Sequence, residues 1–252
     1  MKVLITGASS GIGRDLARAF AKRGYDLVLI ARNEERLNNV KKELDNLVNI
    51  QIGLLDVSSV ENCMKIYEKY PDIDILINNA GFGDCGYFNK TNLEKEINMI
   101  DTNIKAYHVL TKLYLKNMIE KNNGKILNVA SIAGFMPGPL MATYYATKSY
   151  VVRLSEAIRE ELKKQNSNVK ISILCPGPVA TNFNKTANVK FKIREANSEK
   201  TAEYAVKKLL KGKFYIVPGI DIKFAKFVAK IMPSNLIAKI NYMVQKRKVY
   251  DK

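Results

Sequence analysis

Seven short, strongly apolar runs divide the chain, each followed by a longer amphipathic stretch, and this alternation constrains the fold more than any single residue does. The runs cover residues 2–6, 26–31, 48–54, 73–78, 125–130, 169–175 and 213–217. Helix-like stretches lie between them, near 12–24, 33–45, 58–69, 93–118, 143–165 and 199–211. The runs read as mainly apolar rather than as regular alternation, which is the pattern of strands buried on both faces. Strands alternating with helices in this way predict an α/β fold of three layers, a doubly wound sheet of seven parallel strands between two helical layers. The 252 residues, 47% apolar and 26% charged, suit one globular domain over 1–252, with 219–252 as a helical C-terminal extension.

The first strand runs directly into Thr6-Gly7-Ala8-Ser9-Ser10-Gly11-Ile12-Gly13 and then a helix. Glycines at such a place allow a tight turn, close approach of backbone to a ligand and close helix–strand packing. The free amides that open the helix then suit a pyrophosphate, so the fold expected is of Rossmann type and the ligand a dinucleotide. The second strand ends at Ala31-Arg32-Asn33, without the carboxylate that commonly holds the ribose 2′-hydroxyl of NAD. The guanidinium of Arg32 matches a 2′-phosphate in charge and fork geometry. The cofactor expected is therefore NADP(H), with NAD the lesser candidate. Asp56 and Val57, ending the third strand, and Asn79, Ala80 and Gly81, after the fourth, are candidates for the adenine end and its surroundings. Long loops follow the fourth and sixth strands, at 81–93 and 176–198, and in an open parallel sheet both belong to the ligand side.

Ser131 follows the fifth strand, and Tyr144 and Lys148 follow on the next helix. Residues four apart share a helical face, so the Lys148 ammonium approaches the Tyr144 phenol. A phenol near pKa 10 is a poor base at neutral pH. A neighbouring cation favours the phenolate and lowers that value, letting one group act as acid in reduction and base in oxidation. Ser131 is placed to hydrogen-bond the reacting oxygen.

Together these motifs resemble the short-chain dehydrogenase/reductases: TGASSGIG at 6–13, Asp56, NNAG at 78–81, Asn103, Ser131, YYATK at 144–148 and PGPVAT at 176–181. The likeness covers about residues 1–218. It implies a catalytic tetrad of Asn103, Ser131, Tyr144 and Lys148, with Tyr144 chosen over Tyr145 because it precedes Lys148 by four. It also implies that Lys148 and Tyr144 meet the cofactor and that Asn103 helps hold a proton-relaying water. Pro176, Gly177, Val179 and Thr181 complete the cofactor contacts, Thr181 at the carboxamide end. GFGDCGYF at 82–88 and the tail at 216–233 are similar to a subgroup of general bacterial reductases with an extended C-terminus. The helices at 93–118 and 143–165 form that family's usual dimer interface, so a homodimer is expected. The tail replaces the short ending that builds the family's tetramer contact.

The substrate expected is a small carbonyl or alcohol compound, largely apolar, because the loops beside Tyr144 carry Phe82, Phe88, Phe135, Met136, Leu140, Met141, Phe183, Val189 and Phe191. Lys185, Lys190, Lys192 and Arg194 nearby suit an anionic acyl carrier, or are plain surface. His108 is the sole histidine, which removes a histidine-centred triad, and nothing in the sequence points to a metal. Cys63, Cys85 and Cys175 lie far apart without metal or disulfide spacing, as in a reducing compartment, and no signal or membrane-spanning pattern is present; both point to a cytoplasmic address. The net charge is +17, and residues 190–252 hold 16 basic against 5 acidic residues. No nucleic-acid module accompanies that charge, so no nucleic acid is expected. Phe224, Phe227, Val228 and Ile231 share one face of a helix in the tail, ready to pack on the core or a sister subunit, or to meet an anionic membrane surface peripherally. Two rival readings remain open. A catalytically silent dinucleotide-binding regulator needs 6–13 but has little use for Ser131, Tyr144 and Lys148 together. A membrane-surface binding protein accounts for the tail but not the triplet.

Overall fold

The computed structural model describes residues 1–187 and 195–249, the side chains of Lys185 and of 247–249 apart. Seven strands form one parallel sheet in the order β3-β2-β1-β4-β5-β6-β7. They are β1 (Lys2–Thr6), β2 (Asp26–Ala31), β3 (Ile50–Leu54), β4 (Ile75–Asn78), β5 (Lys125–Val129), β6 (Lys170–Leu174) and β7 (Tyr215–Ile216). The helices are α1 (Gly11–Ala21), α2 (Glu34–Leu44), α3 (Val60–Lys69), α4 (Leu93–Ile100), α5 (Ala106–Glu120), α6 (Ala142–Lys164), α7 (Phe183–Thr186), α8 (Ser198–Leu210), α9 (Ile220–Ile231) and α10 (Ser234–Val249). The three-layer α/β sheet expected from the alternation is thus observed, with C-terminal helices added.

Each face of the sheet buries its own core. On one side Leu16 and Phe20 of α1 and Val206 and Leu209 of α8 cover Val3, Ile5 and Leu29. On the other, Tyr107 and Tyr114 of α5 and Val151 and Val152 of α6 cover Leu4, Leu76 and Ile126. Strands apolar on both faces can sit only in such a double-sided sandwich, because either face left in water forfeits roughly 25 cal/mol per Å2 of apolar surface. Strand order reverses between β1 and β4, so their carboxyl ends open a crevice at the switch point.

Five strands are shorter than their apolar runs, β5 and β6 by one residue at one or both ends and three of them by more. β3 starts at Ile50 and β4 at Ile75, and β7 keeps only Tyr215 and Ile216, since a strand lasts only where its neighbour supplies a ladder. The helix expected over 93–118 is interrupted by a π-turn at Asp101–Lys105. In the tail, Phe224, Phe227 and Ile231 do not pack on the core but face outward, and no residue of α9 is fully buried. Its inward side instead carries Ile222 and Lys226, whose ammonium sits 3.0 Å from the Tyr215 ring centroid and 4.9 Å from that of Phe135. A lysine stem lies well on aromatic faces while its charge reaches water. Among the described residues no helix is long and apolar enough to cross a membrane.

Candidate active site

A cavity of about 440 Å3 opens along the carboxyl ends of the strands. At its floor, Thr6 Oγ1 accepts hydrogen bonds from the amides of Asn79 (3.0 Å) and Ala80 (3.1 Å). The Asn79 side-chain amide donates to the Thr6 carbonyl at 2.9 Å. These bonds clamp the turn after β4 against the turn after β1. Gly7 is in the left-handed region (φ 66°), and a Cβ there would stand 2.8 Å from Ala80 Cα. A Cβ on Gly13 would run into the Gly7 carbonyl oxygen and the Asn79 amide. Both positions therefore exclude a side chain. Ser10 opens α1 without capping it by its side chain, so the first helical amides keep their capacity for an anion. This cradle fits a dinucleotide pyrophosphate.

At one end of the cavity stands Arg32, whose Nη1 lies 3.2 Å from Asp56 Oδ2, both groups well exposed. Burial pushes the Asp56 carboxyl up, but the Ser58 amide and the Arg32 guanidinium outweigh it and hold the group below the usual carboxylate range. Arg36, in the first turn of α2, joins the same wall. Its amide donates to Asn33 Oδ1 at 2.8 Å, the cap of α2. Sequence reasoning missed Arg36, because Arg32 precedes the helix and helical spacing does not link the two.

At the other end lie Ser131, Tyr144 and Lys148. Ser131 opens the 3-10 turn Ile132–Phe135; its Oγ accepts from the Ala133 amide at 3.2 Å, donates to the Pro176 carbonyl at 3.4 Å and stands beside the Tyr144 phenol. Lys148 is 4% exposed, and its Nζ donates to the Val129 carbonyl at 2.9 Å. Burial lowers Lys148 to about 8. Burial likewise raises the Tyr144 phenol, the Ser131 hydrogen bond only partly opposing it. The cation was expected to lower that phenol; instead desolvation dominates, because Lys148 Nζ is 5.9 Å from the Tyr144 ring centroid and turned to the Val129 carbonyl. In this state Tyr144 is a neutral proton donor at pH 7.

Of the other expected contacts, Ser9, Gly11, Ile12, Val57, Asn79, Ala80, Gly81, Pro176, Gly177, Val179 and Thr181 line the cavity, while Gly13 supports it from behind. Asn103 does not reach the wall. Fully buried in the π-turn, it holds the Phe82 backbone from both sides, Nδ2 to the carbonyl (2.9 Å) and Oδ1 to the amide (3.1 Å), and Nδ2 also donates to Thr147 Oγ1 at 3.1 Å. Gly81 lies between Asn103 and Lys148: a Cβ there would be 2.9 Å from Asn103 Oδ1 and 3.4 Å from Lys148 Nζ. The π-turn aims one side chain at the neighbouring loop and helix at once, a use common to such bulges.

Among the residues expected to wall the substrate, Phe82, Met141 and Phe183 do so, the Phe183 ring 5.2 Å from that of Tyr144. Phe88 is exposed, Leu140 is buried behind the wall, and Phe135 lies under α9; none of these, nor Met136, lines the cavity. Val189, Lys190, Phe191, Lys192, Arg194 and the side chain of Lys185 lie outside the described residues. Tyr145 and Gln245 also line the cavity and were not foreseen.

Residues 1–191 match the family model for short chain dehydrogenases. The NADP-dependent 3-hydroxy acid dehydrogenase YdfG of Escherichia coli (strain K12) is 35% identical over 210 residues, 82% of this chain and 83% of that protein. The structure is similar to a short-chain dehydrogenase from Sphingobium yanoikuyae solved with NADPH (TM-score 0.82, 29% identity, 87% of this chain and 88% of that one). A short chain dehydrogenase/reductase from Burkholderia phymatum solved with NAD shares the fold (TM-score 0.82, 23% identity, 90% and 92% covered). The chain belongs to the short-chain dehydrogenase family and is an oxidoreductase of the hydride-transferring kind.

Proposed function

We propose that the chain uses NADP(H) in preference to NAD(H) to interconvert a largely apolar carbonyl compound and its alcohol. The observation that carries this reading is the layout of one cavity, with Arg32 and Arg36 at one end, the glycine cradle between, and Ser131, Tyr144 and Lys148 at the other. The NADP-dependent relative at 35% identity supports the same preference. The cofactor, when bound, supplies or takes up the hydride. In reduction, Tyr144 Oη gives its proton to the oxygen that gains negative charge, and the Ser131 hydroxyl donates a hydrogen bond to that oxygen. Lys148, cationic below about pH 8, stabilises the phenolate left behind and meets the cofactor. Asn103 holds the Phe82 loop and Thr147 of α6 in register, so that Lys148 and Tyr144 keep their positions.

The partner readings rest on two exposed apolar faces. Leu93, Ile97 and Ile100 on α4 support a homodimer through the helices α4 to α6. On α9, Ile220, Phe224, Phe227 and Ile231 are each 60% or more exposed, and Lys223 and Lys230 flank them; this supports peripheral contact with an anionic membrane. The reading of the reaction is tested by following nicotinamide absorbance with NADPH and NADH against aldehydes, ketones and ketoacyl thioesters. NADPH-favoured turnover of one carbonyl class supports it. Failure to bind either cofactor refutes it.

A further inference from the structure

Helix α10 docks on the active-site loops through one mostly polar stripe. Ile237, Asn241 and Gln245 are spaced four apart and so share a face. Ile237 is buried, Asn241 Nδ2 donates to the Pro137 carbonyl at 2.8 Å, and Gln245 Nε2 donates to the Tyr145 hydroxyl at 2.7 Å. Beside them the Tyr242 and Tyr87 hydroxyls meet at 2.9 Å. The loops at 82–92 and 135–143 and the start of α6 are thereby joined to the C-terminal helix at the substrate end of the cavity.

Gln245 is 2% exposed and belongs to the cavity wall. Its Oε1 has no hydrogen-bond partner. Four other buried side-chain atoms share that condition among the described residues, on Asn78, Ser172, Asn184 and Ser198, but none of those residues lines the cavity. Buried carbonyl oxygens are almost always paired, so one left unpaired beside a binding cavity calls for a partner that the protein itself does not supply. Tyr145, which bonds Gln245, clusters with Met141, Tyr144 and Phe183 on the same cavity wall, an otherwise apolar and aromatic surround. An amide oxygen in such a surround selects a neutral donor, a hydroxyl or an amide N–H, over both a carboxylate and a bare alkyl chain.

We propose that Gln245, steadied by Tyr145, forms a polar subsite that takes a hydrogen-bond donor borne by the substrate at a distance from its reacting carbonyl. The substrate class is then an uncharged, mainly apolar carbonyl compound with a distal hydroxyl or amide N–H. This deepens the reading of the site as a carbonyl reductase and rests on it. A site built to bond such a group rejects the analogue that lacks it, because the buried oxygen then stays unpaired.

The test is steady-state reduction by the full chain with NADPH of three matched ketone series of graded length. One is a methyl ketone, one carries a terminal hydroxyl, and one carries that hydroxyl capped as a methyl ether, which accepts but does not donate. The expected result is at least a tenfold preference in kcat/KM for the hydroxy-ketone over both partners at one chain length. In Gln245→Leu and in Gln245→Met that preference falls to within twofold. A wild type that treats hydroxyl and ether alike at every length overturns the subsite, as does a preference that survives both substitutions. NADPH binding without reduction of any ketone instead overturns the carbonyl-reductase reading, and the subsite with it. Melting temperatures of both variants separate loss of recognition from loss of the fold.

Discussion

Replacing Arg32 by alanine is the sharpest probe of the cofactor end. In this structure the guanidinium pairs with Asp56 at 3.2 Å, with 67% and 36% of the two side chains exposed. An exposed pair of this kind contributes only about 0–1 kcal/mol. Hydrogen bonds to a charged group contribute about 1.5–3 kcal/mol. Exchanging the carboxylate for a 2′-phosphate therefore gains about 1.5 kcal/mol, a factor of roughly ten in binding. Arg36 remains on the wall, so the loss in Arg32→Ala should stay under about a hundredfold. The assay is the ratio of kcat/KM with NADPH to that with NADH, at low and at moderate salt. The expected result is a fall of roughly tenfold in that ratio, smaller at higher salt, with the NADH value nearly unchanged. A ratio that moves less than twofold, or values that fall together for both cofactors, refutes the assignment of Arg32 to the phosphate.

Gly13→Ala places a Cβ against the Gly7 carbonyl and the Asn79 amide. Overpacking of that kind costs about 1–3 kcal/mol, which lowers the melting temperature by roughly 2–10 °C and weakens NADPH binding in a fluorescence titration; unchanged values for both contradict the cradle. Lys148 has a folded pKa near 8, below its unfolded value, because of burial. The unfolded chain then holds more protons between about pH 8 and pH 10, so cofactor-free stability gained from this residue rises with pH across that window. Thermal melts of Lys148→Met should lack the part of the rise that wild type shows, and parallel curves contradict it. The double variant Phe224→Ser, Phe227→Ser should lose binding to phosphatidylserine vesicles in flotation while retaining ketone turnover; equal flotation removes α9 from any lipid contact.

The parts of the fold legible in the sequence were those with short-range grammar. The turn from β1 into α1 needs glycine at 7 for its left-handed φ and at 13 because the Gly7 carbonyl oxygen leaves no room for a Cβ, both local demands, so its place was readable from residues alone. Tyr144 and Lys148 were readable because one helical turn couples them. The π-turn was not, since a single extra residue in a helix leaves the apolar period almost unchanged, and its purpose is seen only when Asn103 meets Phe82. Strand ends were misjudged where apolar residues such as Ile73 lie buried ahead of the ladder rather than in it. The sense of the Tyr144 shift was misread because helical spacing reports proximity to a cation, whereas burial, set by the whole assembly of loops, decided the sign. Gln245 gave no local signal beyond the spacing of Ile237, Asn241 and Gln245, and its meaning depends on residues a hundred positions away.

In the proposed reaction Tyr144 is the group that exchanges the proton. The direct measurement is Tyr144→Phe, with NADPH affinity by fluorescence titration and turnover of the best ketone recorded on the same preparation. The prediction is an NADPH Kd within about threefold of wild type and a kcat reduced by a factor of about 100 or more, the usual scale of general acid catalysis. Turnover that survives the substitution within about tenfold contradicts it.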